Sequence, residues 1–175
     1  MDKLGRPDWW DFWMTLSYYV SRKSLDPRTK HGCVVVDDDN NLLSMGYNSP
    51  PRGCDDAIMP IEPPDKYKVM AHAEENAINN AARKGISLKG STFYVTGHPC
   101  CACLRQILNV GALYICYGQV QSHCISIEDK KIMDLMLKGQ KLKITQLHKD
   151  NLHQSKIILN NVSTFVDELI EKTND

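Results

Sequence analysis

Trp9, Phe12, Trp13, Leu16, Tyr19 and Val20 recur at three- and four-residue spacing, which marks a helix with one wide apolar face. Asp8 is the natural N-cap and Asp11 complements the first turn, so the pattern predicts a helix from about residue 9 to Lys23, laid on a sheet. Pro27 disfavours helix in the residue before it, and residues 24–30 are expected to form a loop. The period then changes. Residues 32–37, with Val34, Val35 and Val36 in succession, read as a buried strand, residues 37–41 as a turn, and residues 42–46 as a second strand. The turn lacks the glycine and terminal glutamate of an EF-hand loop, so its acidic and amide residues point to a solvated hairpin rather than to calcium.

A proline-rich stretch from Tyr47 to about Val69 shows no periodicity, and irregular segments of this length are commonly functional loops or lids. Residues 72–84 read as a helix stopped by Gly85, 92–96 as a strand, 100–110 as a helix stopped by Gly111, and 112–117 as a strand. Residues 127–137 give a further helix closed near Gly139, and 142–147 a strand. Ile158, Val162, Phe165, Val166 and Leu169 mark an amphipathic C-terminal helix. A helix, two adjacent strands and then helix–strand repeats predict an α/β fold: a three-layer α/β/α arrangement around a mixed five-stranded sheet, in a single domain over residues 1–175.

Charge narrows the partners. With 21 basic and 21 acidic residues spread along the chain there is no electrostatic footprint for tracking a nucleic-acid backbone, and a small-molecule substrate is favoured. The tryptophans and tyrosines near the N-terminus are the residue types that stack on bases, but their helical spacing assigns them to the core. No run of 18 apolar residues exists, which argues against a membrane span. Seven cysteines, an odd number without an apolar signal segment before them, point to a reducing compartment, and a cytoplasmic location is expected.

The chemistry is concentrated in two short motifs, His72-Ala73-Glu74 and Pro99-Cys100-Cys101-Ala102-Cys103. One histidine and two cysteines can hold Zn²⁺ and leave a fourth position for water, whereas structural sites are usually closed by four protein ligands. Cys100 and Cys103 share a helix face, and a helix N-terminus lowers thiol pKa. Glu74 is the candidate to move a proton. A purely structural site would need a fourth ligand. Cys101 adjoins Cys100 and is expected to point elsewhere, while His98 and Cys54 remain possible without a diagnostic spacing. Cys33, Cys101, Cys116 and Cys124 read as small core or surface residues, and His31, His123, His148 and His153 carry no motif.

H-x-E followed by P-C-x-x-C is the signature of the zinc-dependent nucleobase deaminases. The likeness extends further: Trp10-Asp11, residues 24–30 with Gly32, Gly46-Tyr47-Asn48, Cys54-Asp55-Asp56, the run His72 to Ile78 and Tyr94-Val95-Thr96 resemble, in order, the blocks of the deoxycytidylate (dCMP) deaminase family, of the cytidine deaminase-like fold. The form H-A-E-x-N-A-I separates the chain from tRNA adenosine deaminases and from deaminases of polynucleotides. The resemblance implies conversion of dCMP to dUMP and ammonia, one catalytic Zn²⁺, and Mg²⁺ only in company with a nucleotide effector. It implies that Asn48 and the backbone of Ala73 meet the nucleoside, that Ser24 and Arg28 hold the 5′-phosphate, and that the protein is a homo-oligomer, in many members a hexamer. Two stretches depart from the family pattern: Ser49 stands where many members have glycine, and residues 118–123 lack an aspartate–tyrosine pair tied to nucleotide recognition and to allosteric control by dCTP or dTTP. The rival readings are a deaminase of another cytosine nucleotide or nucleobase, and a zinc-stabilised binding module without catalysis.

Overall fold

The computed structural model describes residues 6–120 and 125–147. The elements in chain order are α1 (Trp9–Ser21), β1 (Gly32–Val36), β2 (Leu42–Tyr47), α2 (Lys66–Val69), α3 (Ala73–Arg83), β3 (Thr92–Gly97), α4 (Cys101–Asn109), β4 (Tyr114–Val120), α5 (Ile127–Leu137) and β5 (Lys143–Gln146). The strands form one sheet in the order β2-β1-β3-β4-β5. β1 runs antiparallel to both β2 and β3, and β3, β4 and β5 are mutually parallel, so the sheet is mixed as expected. The expected C-terminal helix lies outside the described residues.

Alternate strand residues sort the core into two clusters on opposite faces, as the period of two in a strand requires. Cys33, Val35, Phe93, Val95 and Ile115 pack under α3, α4 and α5, through Ala73, Ala77, Ala81, Leu104, Ile107 and Met133. Val34, Val36, Tyr94 and Cys116 pack under α1 through Trp13, Met14 and Val20. Two-sided burial is why β1 reads as an unbroken valine run rather than as an alternating one.

The helix α1 buries only part of the face its aromatic spacing predicts: Trp13 and Val20 are core and Leu16 packs against it. Trp9, Phe12 and Tyr19 are 53%, 40% and 65% exposed, while Ser17 and Ser21 are buried. The reason lies across the interface at Gly32, where an added Cβ would stand 2.0 Å from the Ser17 carbonyl oxygen. Such an approach admits only small residues, so the serines face the sheet and part of the aromatic stripe is left outside.

The same device seats α3. A Cβ on Gly46 would lie 2.4 Å from both the Ala73 carbonyl oxygen and the Ala77 amide nitrogen. The helix therefore rests on the backbone of β2, and polar side chains stitch the two together: Ser44 Oγ donates to the Ala77 carbonyl at 2.7 Å, and Asn76 Nδ2 donates to the Tyr47 carbonyl at 2.8 Å. Asn76 and Ala77, which lengthen the His72 motif, thus fix the position of the helix that carries Glu74.

The stretch from Tyr47 to Val69 is less irregular than its composition predicts. Ser49 and Ala71 exchange backbone hydrogen bonds at 3.2 and 2.9 Å, so the segment leaves and returns at one point. Its last part forms the single turn α2, which begins after the Pro63-Pro64 pair.

Candidate active site

Two of the expected ligands are N-cap residues. His72 caps α3 and Cys100 caps α4, both with extended backbone and neither using its side chain to cap the helix. Cys103 follows in the first turn of α4. The two helix starts bring the three side chains together: His72 Nδ1 lies 3.5 Å from Cys100 Sγ and 3.4 Å from Cys103 Sγ, and all three donor atoms fall within 4.8 Å of one another. A tetrahedral zinc with bonds of ordinary length has a nitrogen-to-sulfur edge of about 3.5 Å, so the donors are spaced to fit that ion. Among the described residues this is the one group of three or more histidine, cysteine or acidic side chains with such spacing. Cys101 turns away, its thiol donating to Asp129 on α5, and Cys54 is exposed in a separate cleft with Arg52 and Asn80.

The electrostatics suit a cation. The Cys103 thiol bonds to Cys100 and His72 stands beside it, which together hold the Cys100 thiol down to about 3 despite partial burial. The same contact with Cys100 raises His72 to about 9, and Cys103 is raised by its bond to Cys100 and by burial. The cluster thus carries a thiolate between two proton donors, and a divalent cation replaces those protons. Glu74 is 5% exposed, and burial pushes its carboxyl up to about 7. A carboxyl poised near neutrality can both take and give a proton at working pH.

These groups open on a cavity of about 180 Å³. Its ligating wall is formed by His72, Ala73, Glu74 and Cys100, with His98 at the side. The rest of the lining, the facing wall, comes from Asp26, Thr29, His31 and Asn48 and from Lys66, Tyr67 and Met70. Asn48, 7% exposed, spends both ends of its amide on the backbone: Nδ2 donates to the Thr29 carbonyl at 3.0 Å and Oδ1 accepts the His31 amide at 2.7 Å. His31 in turn lies 3.2 Å from Thr96 Oγ1, and the His98 ring meets Tyr117 edge-on at 4.6 Å.

Of the residues expected from sequence, His72, Ala73, Glu74, Cys100 and Asn48 line this cavity and Cys103 lies directly behind it. Ser24 and Arg28 do not line it. Ser24 is 2% exposed, its hydroxyl accepting the Asp26 amide at 3.2 Å and its carbonyl accepting from Lys30. Arg28 points outward to Glu62 at 2.9 Å, with 63% of its side chain exposed. Conversely Asp26, Thr29, His31, Lys66, Tyr67 and Met70 line the cavity although the sequence assigned them no individual role. His98, left open from sequence as a fourth ligand, lines the cavity but is not in the three-donor group. Lys66 could not have been found from sequence, because its partner Asp26 is 40 positions away.

Comparison with known proteins agrees with this arrangement. Residues 7–119 match the family described as the cytidine and deoxycytidylate deaminase zinc-binding region. A probable deoxycytidylate deaminase of Drosophila melanogaster is 36% identical over 120 residues, covering 62% of this chain and 58% of that protein. The human deoxycytidylate deaminase is 29% identical over 122 residues, covering 66% and 67%. The matched stretch thus spans about three-fifths to two-thirds of these relatives. The structure of a cyanophage S-TIM5 dCMP deaminase in complex with dCMP and dUMP superposes with a TM-score of 0.67 at 22% identity, over 81% of this chain and 98% of that one, a likeness of fold. With the matched stretch running from the start of α1 to the end of β4 and containing every ligand of the His72–Cys100–Cys103 cluster, the chain belongs to the cytidine and deoxycytidylate deaminase zinc-binding family.

Proposed function

We propose that the protein is a zinc-dependent hydrolytic deaminase of deoxycytidylate, converting dCMP and water to dUMP and ammonia and so feeding thymidylate synthesis. The observation that carries this reading is the pairing of a three-donor cluster at tetrahedral spacing with a buried glutamate on the same cavity wall. The named relatives support the choice of dCMP.

His72, Cys100 and Cys103 would hold one Zn²⁺, which supplies Lewis acidity and brings the pKa of a coordinated water to about 7. Glu74 accepts a proton from the attacking water and delivers it to N3 of the cytosine as C4 becomes tetrahedral. The carboxylate then takes the proton of the new C4 hydroxyl and passes it to the amino group, so that the C–N bond breaks, ammonia leaves and the C4 carbonyl of dUMP forms. Burial of Glu74 keeps that proton from exchanging with bulk solvent. The first-turn amides of α3, beginning at Ala73, offer donors to the pyrimidine carbonyl, and Asn48 and His31 border the sugar side. Arg28, at the outer end of the 24–30 loop, is proposed to exchange Glu62 for the 5′-phosphate, since a guanidinium bonds two phosphate oxygens at once. Ser24 serves that loop from within.

The exposed Trp9, Trp10, Phe12 and Tyr19 support a homo-oligomer, which would cover them, and a hexamer is the state proposed. No described helix is long and apolar enough to cross a membrane. Control by dCTP or dTTP with Mg²⁺ belongs to the same proposal, but residues 121–124 of the segment concerned lie outside the described ones.

The test is ammonia release by zinc-loaded protein over cytidine, deoxycytidine and their mono- and triphosphates, with adenosine and guanine as controls. Turnover should be highest with dCMP and should disappear on chelation. A zinc-replete protein that deaminates no cytosine compound would overturn the reading, and a preference for the triphosphate would reassign the substrate.

A further inference from the structure

Lys66 is the largest side chain in the described residues to be essentially fully buried, at 1% exposure, and it sits in the wall of the cavity rather than in the apolar core. A lysine is almost never buried unless paired. Its Nζ donates to Asp26 Oδ2 at 2.8 Å, and the aspartate is itself buried, at 4% exposure. What the pair holds can be followed bond by bond. The other oxygen, Asp26 Oδ1, accepts the amides of Arg28 at 2.9 Å and Thr29 at 3.1 Å. The Thr29 carbonyl receives Asn48 Nδ2, and Asn48 Oδ1 receives the His31 amide. From Lys66 to His31 the chain of hydrogen bonds is unbroken, and Asp26, Thr29, Asn48 and His31 all face the cavity.

We propose that Lys66 is a positioning residue for substrate: from the single turn α2 it fixes Asp26, and through Asp26 it sets the 28–31 loop and the Asn48 amide at the spacing the nucleotide requires. The pair joins two irregular segments, residues 24–31 and 62–70, that have no strand or long helix to hold them against each other. Desolvating two ions to make one contact is expensive, and replacing such a pair by apolar side chains is often neutral or stabilising. Fold stability alone therefore gives no reason for it, whereas fixing one register of two loops around a binding cavity does. The pair leaves the wall without net charge, so it recognises by shape and hydrogen bonding rather than by attraction of a phosphate.

The proposal rests on the deaminase reading for its kinetics, and its test separates the two. Backbone amide exchange is measured on the full chain for wild type, Lys66→Met, Asp26→Asn, Asp26→Ala and the double variant Lys66→Met/Asp26→Asn. Lys66→Met should speed exchange at Arg28, Thr29 and His31 at least ten-fold relative to amides in the middle of α3. This holds whatever the substrate proves to be, and an unchanged ratio would overturn the proposal. In zinc-loaded enzyme, Lys66→Met should raise KM for dCMP ten-fold or more while kcat falls no more than three-fold. The double variant removes the uncompensated aspartate charge and should recover at least three-fold of that KM. Asp26→Ala, which lacks the amide acceptor, should raise KM at least five-fold more than Asp26→Asn, which keeps it; this comparison decides the matter should Lys66→Met fail to fold. Equal effects of the two Asp26 variants, or a loss confined to kcat, would assign Lys66 a packing role and overturn the proposal.

Discussion

On the ligating side of the cavity His72, Glu74, Cys100 and Cys103 all stand at the start of a helix. His72 and Cys100 are N-caps, Glu74 and Cys103 lie in the first turns, and α3 rests on β2 so closely that Gly46 has no room for a methyl group. On the facing side the wall is loop and single turn, held by the Asp26–Lys66 pair and by Asn48. The first side is set by backbone packing, which tolerates almost no change of volume. The second is set by hydrogen bonds between side chains and backbone, which tolerate volume but not loss of a partner. Under the proposed function, chemistry and recognition fall to two kinds of construction, and variants can be chosen to disturb one without the other.

The largest effect is expected from Glu74→Gln, which keeps the shape of the ligating wall and removes the proton carrier. General acid–base catalysis is worth about 10²–10⁴ in rate, and kcat should fall by that amount while zinc content stays at one equivalent per chain. Metal analysis beside steady-state kinetics checks both halves. An unchanged rate would remove Glu74 from the mechanism, and lost zinc would make it part of the metal site instead.

Next in size is Gly46→Ala. Because the new Cβ meets backbone atoms of α3 rather than a flexible side chain, the helix must move. Overpacking costs about 1–3 kcal/mol, which a denaturant titration should read as a lowered midpoint at unchanged slope. Zinc affinity should weaken in the same variant, because His72 and Glu74 travel with the helix, whereas KM effects specific to the facing wall should not appear. A variant with lowered stability and unchanged zinc affinity would break the link between the seat of α3 and the site.

This contrast also governs what could be read in advance. The three-donor cluster, the glutamate, the five strands and the helix ends follow from local patterns: a cysteine pair three apart, a histidine and glutamate two apart, a valine run, glycines at helix stops. The role of Asn76 in the longer motif becomes physical once it is seen bonding to Tyr47. Of the facing wall only Asn48 was expected, and that through the family resemblance rather than a local pattern. Lys66 lies in a polar, proline-rich stretch where a lysine is ordinarily solvated, and His31 is placed by Asn48, 17 residues on. The aromatic spacing of α1 misplaced part of its buried face for a related reason: the deciding contact is between Ser17 and Gly32, and small residues carry no hydrophobic signal.

The facing wall should also respond to acid, through Asp26. Burial raises the Asp26 carboxyl, but Lys66 and the amides of Thr29 and Arg28 more than offset this and hold it below its ordinary value. A carboxyl depressed in the folded state adds stability above its unfolded pKa of about 3.9, and that contribution is lost as pH falls through the folded value. Denaturant midpoints measured between pH 6 and pH 3 should therefore fall more steeply in wild type than in Asp26→Asn. Parallel curves would show that the pair carries no linkage.

The smallest effect on stability is expected at Arg28→Ala. Its bridge to Glu62 is exposed on both sides, and exposed pairs are worth about 0–1 kcal/mol, so the unfolding midpoint should scarcely move. Its kinetic effect distinguishes the outer end of the loop from the inner one. A guanidinium that meets the 5′-phosphate should, on removal, raise KM for dCMP much more than for deoxycytidine, and the difference should shrink at high salt. Glu62→Gln, which releases Arg28 from its carboxylate, should act in the opposite direction on dCMP alone. Equal changes for nucleotide and nucleoside would take Arg28 out of phosphate recognition and leave the facing wall as a reader of the nucleoside only.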